Sequence, residues 1–129
     1  MVFAGFQRDL RDLLPGIDIL VNASQSEEMP NVVLEAMAAG VPVVATEGGG
    51  LPEIAGADPA VKLVPAGDSE ALAREIETLL GAPGLRRSLG EKGFQRVRQA
   101  FSIESQAIEY KSLYRELVLI DNSPDNRDE

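Results

Sequence analysis

Pro30-Asn31-Val32-Val33-Leu34-Glu35-Ala36-Met37-Ala38-Ala39-Gly40-Val41-Pro42-Val43-Val44-Ala45 reads as a short apolar helix handed straight on to an apolar strand. Pro30 suits the first helical turn, where a backbone N–H is not needed, and Gly40 suits the end. Apolar residues cover nearly every face from Val32 to Ala39, the pattern of a buried helix. Glu35 is the only charge between Pro30 and Ala39. A buried carboxylate without a partner is costly. Glu35 is therefore expected to hold a ligand hydroxyl or, if it reaches the surface, to pair with a lysine or arginine. Pro42 removes one ladder donor and is expected at the start of its strand.

The alternation extends in both directions. Upstream, Val2-Phe3-Ala4 is a strand candidate, and residues 7–14 are expected to form a helix stopped by Pro15-Gly16. Ile17-Asp18-Ile19-Leu20-Val21 is a second strand, and residues 22–26 are a loop. Downstream, Thr46-Glu47-Gly48-Gly49-Gly50 leads into a short helix at 52–55, and Val61-Lys62-Leu63-Val64 is another strand. Asp68 can cap a helix bearing Leu72, Ile76, Leu79 and Leu80 at helical spacing. Gly81-Ala82-Pro83-Gly84 breaks it, and Leu85, Leu89, Val97 and Phe101 mark a further amphipathic stretch. Ser102 can cap a last helix with Ile103, Ala107, Tyr110, Tyr114 and Leu117 on one stripe. Apolar strands alternating with helices predict an α/β fold with a parallel sheet and a helical carboxy-terminal end. Ligands of such sheets bind outside the carboxyl ends of the strands, where residues 24–31 and 46–50 lie.

Composition narrows the function. With 129 residues, 44% of them apolar, the chain has room for one hydrophobic core. No cysteine and no histidine are present, which excludes thiol nucleophiles, disulfides and the commonest general base. A net charge of −9 argues against nucleic-acid or anionic-membrane partners. No run is apolar enough to span a bilayer, and the opening Met1-Val2-Phe3-Ala4-Gly5-Phe6 lacks a signal-peptide pattern, so a cytoplasmic location is expected. Residues 121–129 carry no apolar side chain after Ile120 and are expected to form a disordered acidic tail.

The stretch from Ser26-Glu27-Glu28-Met29-Pro30 through Glu35 to Thr46 resembles the signature of the group 1 (family 4) glycosyltransferases, and Gly48-Gly49-Gly50-Leu51-Pro52-Glu53 resembles the loop that follows it. Gly5-Phe6 and Asp18 fit as well, so the similarity runs from about residue 2 to 117. The resemblance implies part of the donor domain of a GT-B enzyme, Rossmann-like, over residues 1–120. It also implies transfer of a sugar, of hexosyltransferase type, from a nucleotide-sugar to an acceptor with retention of configuration. Within that family Glu35 matches the glutamate that holds the donor ribose, a task suited to a carboxylate facing a vicinal diol. Glu27 matches the catalytic-site glutamate beside the transferred sugar. Met29, Pro30, Asn31 and Val32 match the helix start that faces sugar and pyrophosphate with free amides and the positive end of its dipole. Gly5, Phe6 and Gln7 match the loop beside the base. Without the resemblance, Glu27 and Glu28 read equally as first-turn acids, and residues 48–50 as a tight loop.

Departures from the pattern shape the expectation. Glu28 stands where glycine is usual and Met29 where phenylalanine is usual, and the extra negative charge should weaken diphosphate binding if it points inward. The glycine-lysine loop that neutralises pyrophosphate is not matched, and Arg8, Arg11 and Lys62 do not stand in for it. An Asp-x-Asp pattern is lacking, so no metal and no cofactor beyond the donor substrate are expected. An amino-terminal acceptor domain is expected to be a missing partner, and this chain alone is expected to be inactive. A sugar-nucleotide epimerase relative and a non-catalytic interaction module are the alternatives. By the doubly wound order 3-2-1-4-5-6, residues 2–4 correspond to strand 3 and the strands at Ile17, Val41 and Val61 to 4, 5 and 6. Three parallel strands should then remain, with the Ile17 strand at an edge, residues 2–4 hanging free or pairing with it, and self-association through that edge.

Overall fold

Three short strands pair in parallel in the order β1 (Leu20–Asn22), β2 (Val43–Thr46), β3 (Lys62–Val64). The register sets Leu20 beside Val43 and Val44 beside Lys62. The computed structural model describes residues 1–8, 10, 12–24 and 30–102. Residues 1–98 form one compact unit; of a second unit, 99–129, only 99–102 are among those described. The expected helix after Ser102, with Ile103, Ala107, Tyr110, Tyr114 and Leu117, and the acidic tail therefore lie outside the described residues.

Four helices flank the sheet: α1 (Asn31–Ala38), α2 (Leu51–Ala55), α3 (Ser69–Gly81) and α4 (Pro83–Ala100). Both β1-α1-β2 and β2-α2-β3 step across the sheet in the same direction, so right-handed crossovers put α1 and α2 on one face. Val44 points to the other face, where it packs with Leu79 of α3 and Leu89 of α4, flanked by Ile19, Leu72 and Ile76. Covered on both sides, β2 is buried along its whole length, which explains why its sequence is an unbroken apolar run.

The helix boundaries have local causes. Gly40, at φ +73° in the left-handed region, follows Ala39, the cap residue of α1. There the Gly40 amide donates to the Met37 carbonyl and the Val41 amide to the Ala36 carbonyl, a complete Schellman closure. Pro42 sits one residue before β2 and contributes only its carbonyl, which accepts from the Leu20 amide. Asp68 caps α3 by accepting from the Ala71 amide at 2.8 Å, worth about 1 kcal/mol. A methyl group at Gly90 would strike the Gly40 carbonyl, and one at Gly93 would press on Met37. Glycine at both places lets α4 run directly against the end of α1.

Several expectations are corrected. Residues 2–4 are not a strand: Val2 and Phe3 are 91% and 88% exposed. A strand needs a neighbour to satisfy its ladder and a face to bury, and this segment has neither in the described structure. Among the described residues of 7–14 no α-helix forms. Leu13 and Leu14 close a turn on the Leu10 carbonyl, and a single 3-10 turn follows at Leu14–Gly16. Pro15 lies inside that turn rather than after a helix, because its fixed φ favours a first turn. Asn22, expected in a loop, is the last residue of β1. Leu80 and Leu85, expected on apolar stripes, are exposed, and only the Leu72, Ile76, Leu79 edge of α3 meets the core.

Candidate functional site

The carboxyl edge of the sheet begins at Asn22 and Thr46, the two buried polar side chains of the described core. Beyond Asn22 the chain leaves the sheet through Ala23 and Ser24. The Ser24 amide donates to Asn22 Oδ1 at 3.0 Å, and Thr46 Oγ1 donates to the Ser24 carbonyl at 2.6 Å. After residues 25–29 the chain re-enters at Pro30, which is buried and occupies the cap of α1 without a side-chain hydrogen bond. Pro30 precedes the helix rather than opening its first turn. Its carbonyl accepts from the Val33 amide at 3.0 Å, so Asn31 and Val32 are the first helical residues, whose amides have no carbonyl to meet within the helix. The parallel crossover sets this end of α1 at the carboxyl edge of the sheet, with the positive end of its dipole outward.

Glu35 lies on the same helix face as Asn31 and Val32, four and three residues further on. It is exposed, as is Asn31, while Val32 is half-buried. The expectation of a buried carboxylate is thus corrected. Only Val33, Ala36 and Met37 of α1 are buried, a single stripe at i, i+3, i+4 that suffices to seat eight residues on the sheet. Of the remaining apolar side chains Val32 and Leu34 are half-buried, and only the small Ala38 is exposed. Glu35 needs no buried partner and remains open to a solute.

Glu27 and Met29 lie outside the described residues, as does Glu28. Gly5, Phe6 and Gln7 are all exposed; Phe6, at 90%, does not pack, and Gln7 Nε2 donates only to the nearby Ala4 carbonyl at 2.8 Å. The described structure thus sets Pro30, Asn31 and Val32 at the start of α1 with Glu35 about one turn further along, and does not pack Gly5, Phe6 or Gln7 against them. In the glycine loop Gly49 adopts φ +51°, which only glycine takes readily, and Gly50 precedes α2. That accounts for the loop as a tight turn.

Two features escaped sequence reading. One is the use of Asn22 and Thr46 to hold Ser24, for which a polar residue ending an apolar strand is the available signal. The other is a cavity of about 130 Å³ lined by Ala23, Thr46, Gly67, Asp68, Ser69 and Leu72, on the α3 side of the same edge. Its lining comes from the carboxyl ends of β1 and β2, the turn after β3 and the start of α3, and sequence order alone does not bring them together.

This arrangement matches a known family. Residues 1–82 match the glycosyl transferases group 1 family. The chain belongs to the group 1 glycosyltransferases. It is 31% identical over 123 residues to N-acetyl-alpha-D-glucosaminyl L-malate synthase of Bacillus anthracis, covering 95% of this chain and 32% of that one. It is 36% identical over 111 residues to the lipopolysaccharide core biosynthesis glycosyltransferase LpsE of Rhizobium meliloti, covering 86% and 33%. This group 1 chain thus spans about a third of the length of these curated relatives. Among solved structures, Anabaena Alr3699/HepE in complex with UDP superposes with a TM-score of 0.77 at 27% identity, over 87% of this chain and 32% of that one. The Anabaena protein has also been solved with UDP-glucose. The α/β architecture with its parallel sheet is accordingly part of a GT-B glycosyltransferase fold. Among the described residues no helix is long and apolar enough to cross a membrane.

Proposed function

We propose that residues 1–120 are part of the nucleotide-sugar-binding domain of a retaining, metal-independent glycosyltransferase, and that the chain supplies one wall of the donor site. The observation that carries this reading is the exposed face of α1, where the Asn31 and Val32 amides open the helix at the carboxyl edge of the sheet and the Glu35 carboxylate stands about one turn further along. A diphosphate is matched by free amides and a positive dipole end. A ribose is matched by a carboxylate one turn away, able to accept from both hydroxyls of a vicinal diol. Those are two adjacent parts of one nucleotide-sugar, and the Anabaena relative binds UDP and UDP-glucose.

In this reading Glu35 holds the ribose and Glu27 orients the transferred sugar, where its charge supports the developing oxocarbenium centre as the diphosphate leaves. Met29 and Pro30 shape the approach to the helix amides, and Gly5, Phe6 and Gln7 lie beside the base once a donor and the remaining domain are in place. The acceptor side belongs to sequence outside this third of the relatives' length, so the 129-residue chain alone turns over no donor. The enzyme works in the cytoplasm, where nucleotide-sugars are found.

The test is an NMR titration of the chain with UDP. Shifts should concentrate at the amides of Asn31, Val32 and Glu35, and Glu35→Gln should weaken binding by about 1–3 kcal/mol, the range for a hydrogen bond to a charged group. UDP that leaves those amides unmoved, or binds Glu35→Gln equally well, would return this face of α1 to ordinary solvent-exposed surface.

A further inference from the structure

The two ends of α1 lie at opposite edges of the sheet. Its first residues stand at the carboxyl edge, and its last turn closes at Gly40, ahead of β2. The Gly40 and Val41 amides bond back to the Met37 and Ala36 carbonyls, so Gly40 moves only with the helix. At this end α4 crosses. A Cβ at Gly90 would overlap the Gly40 carbonyl and lie 3.6 Å from Pro42 Cδ, and one at Gly93 would come to 3.3 Å from Met37 Cγ. At Gly84, on the same helix, a Cβ would meet nothing within 4 Å. Of the parts that meet at Gly90, β2 and α4 are the less free to move. Pro42 leads into β2, the central strand of the three, and its carbonyl is held by the Leu20 amide. On either side of Gly90, α4 is pinned. Leu89 is buried with Val44, and Arg96 donates from Nη2 to the Glu53 carbonyl at 2.8 Å and from Nε to the Ile54 carbonyl at 3.2 Å. Both are carbonyls of the last turn of α2, which a helix leaves without amide partners of its own.

From this we infer that Gly90 is a positioning residue for the opposite end of α1. Tied to α2 by Arg96 and to the core by Leu89, α4 acts as a brace, and the absence of a side chain at Gly90 sets how close it comes to Gly40. A side chain there would be accommodated by Gly40 and the helix attached to it. That helix has eight residues, a rod of about 12 Å. Val33, Ala36 and Met37 hold it against the sheet in close packing, which transmits a displacement rather than absorbing it. The amides of Asn31 and Val32 therefore move with Gly40. Gly90 acts through Gly40 and α1 alone. Its bearing on a nucleotide rests on the donor-site reading above, whereas the brace itself does not.

The experiment compares the whole 129-residue chain with Gly84→Ala, Gly93→Ala and Gly90→Ala, and with Leu79→Ala, which weakens the other face of the sheet. Amide resonances in NMR spectra without ligand read the brace. Those of Asn31 and Val32 should stay in place in Gly84→Ala and move slightly in Gly93→Ala, where the Met37 side chain can give. They should move most in Gly90→Ala, where the new methyl group meets backbone, while the β3 amides hold still. UDP affinity reads the consequence and should follow the same order. It should fall about tenfold in Gly90→Ala, the equivalent of one lost hydrogen bond to a charged group, and keep the parent value in Leu79→Ala. If Gly90→Ala does not fold, Gly93→Ala carries the test with the same signs. Asn31 and Val32 resonances that hold still in a folded Gly90→Ala, or that move as far in Leu79→Ala, would overturn the brace. Moved resonances with unaltered UDP affinity, or an equal loss of affinity in Leu79→Ala, would overturn the positioning role. If UDP binds none of the chains, the parent included, the donor-site reading fails and the positioning role with it, while the resonances still decide the brace.

Discussion

The segment around Val2, Phe3 and Phe6 and the pair of helices α3 and α4 both carry large apolar side chains, yet among the described residues only the helices bury theirs. Val2, Phe3 and Phe6 remain almost fully exposed, whereas Leu79 and Leu89 are buried against Val44. Local propensity does not separate them. Val and Phe are good strand formers, and the leucines of α3 and α4 are good helix formers. The difference is in what each can complete alone. A helix satisfies its own backbone and needs only a surface for one stripe, which β2 provides. An isolated strand satisfies nothing until another strand lies beside it, and the edge at β1 is three residues long.

Three measurements can break or sharpen that contrast, beginning with the largest effect. Leu79→Ala removes a fully buried side chain from the Val44 face and should cost about 2–5 kcal/mol in urea unfolding, against less than about 0.5 for the neighbouring exposed Leu80→Ala. Equal costs for the two would mean that α3 is not seated as described. Next, Gly90→Ala should destabilise by about 1–3 kcal/mol, because its methyl group meets backbone rather than a movable side chain. At Gly84, with open space around it, alanine should instead stabilise by up to about 1 kcal/mol. A neutral Gly90→Ala would show that α4 stands off from Gly40. Smallest is Phe6→Ser, expected to leave the unfolding midpoint within about 0.5 kcal/mol of the parent. A loss above about 1 kcal/mol would reveal that the amino-terminal segment packs in solution. Sedimentation of the same variant also checks self-association, since an exposed phenylalanine and an edge strand with no outer partner among the described residues both favour contact between chains.

The candidate site divides along similar lines. Pro30 and Gly40 bracketed α1 to within a residue, because both act through local backbone geometry: a fixed φ at one end and a left-handed one at the other. Asp68 announced its cap for the same reason. The burial of Glu35 was misjudged because apolar residues around a helix report what could be buried, not how many sides are covered. With α1 seated on one face of the sheet, one stripe is covered and Glu35 meets solvent. The hydrogen bond from the Thr46 hydroxyl to the Ser24 carbonyl is not legible in the sequence: the two residues stand 22 apart, and the contact depends on the register of two parallel strands.

By itself the sequence located the three strands and four helices from Leu20 to Ala100 to within about three residues at their ends, Ile17 to Ile19 lying outside the first strand, and it determined their parallel order and the family, since these rest on periodicity, capping and an ordered signature. Tertiary structure alone decided which apolar residues reach the core, where Glu35 faces, and how close α4 comes to Gly40. The physical reason is that hydrogen-bonded local geometry is written in neighbouring residues, whereas burial depends on which surfaces meet. That is set only when β1, β2 and β3 lie side by side.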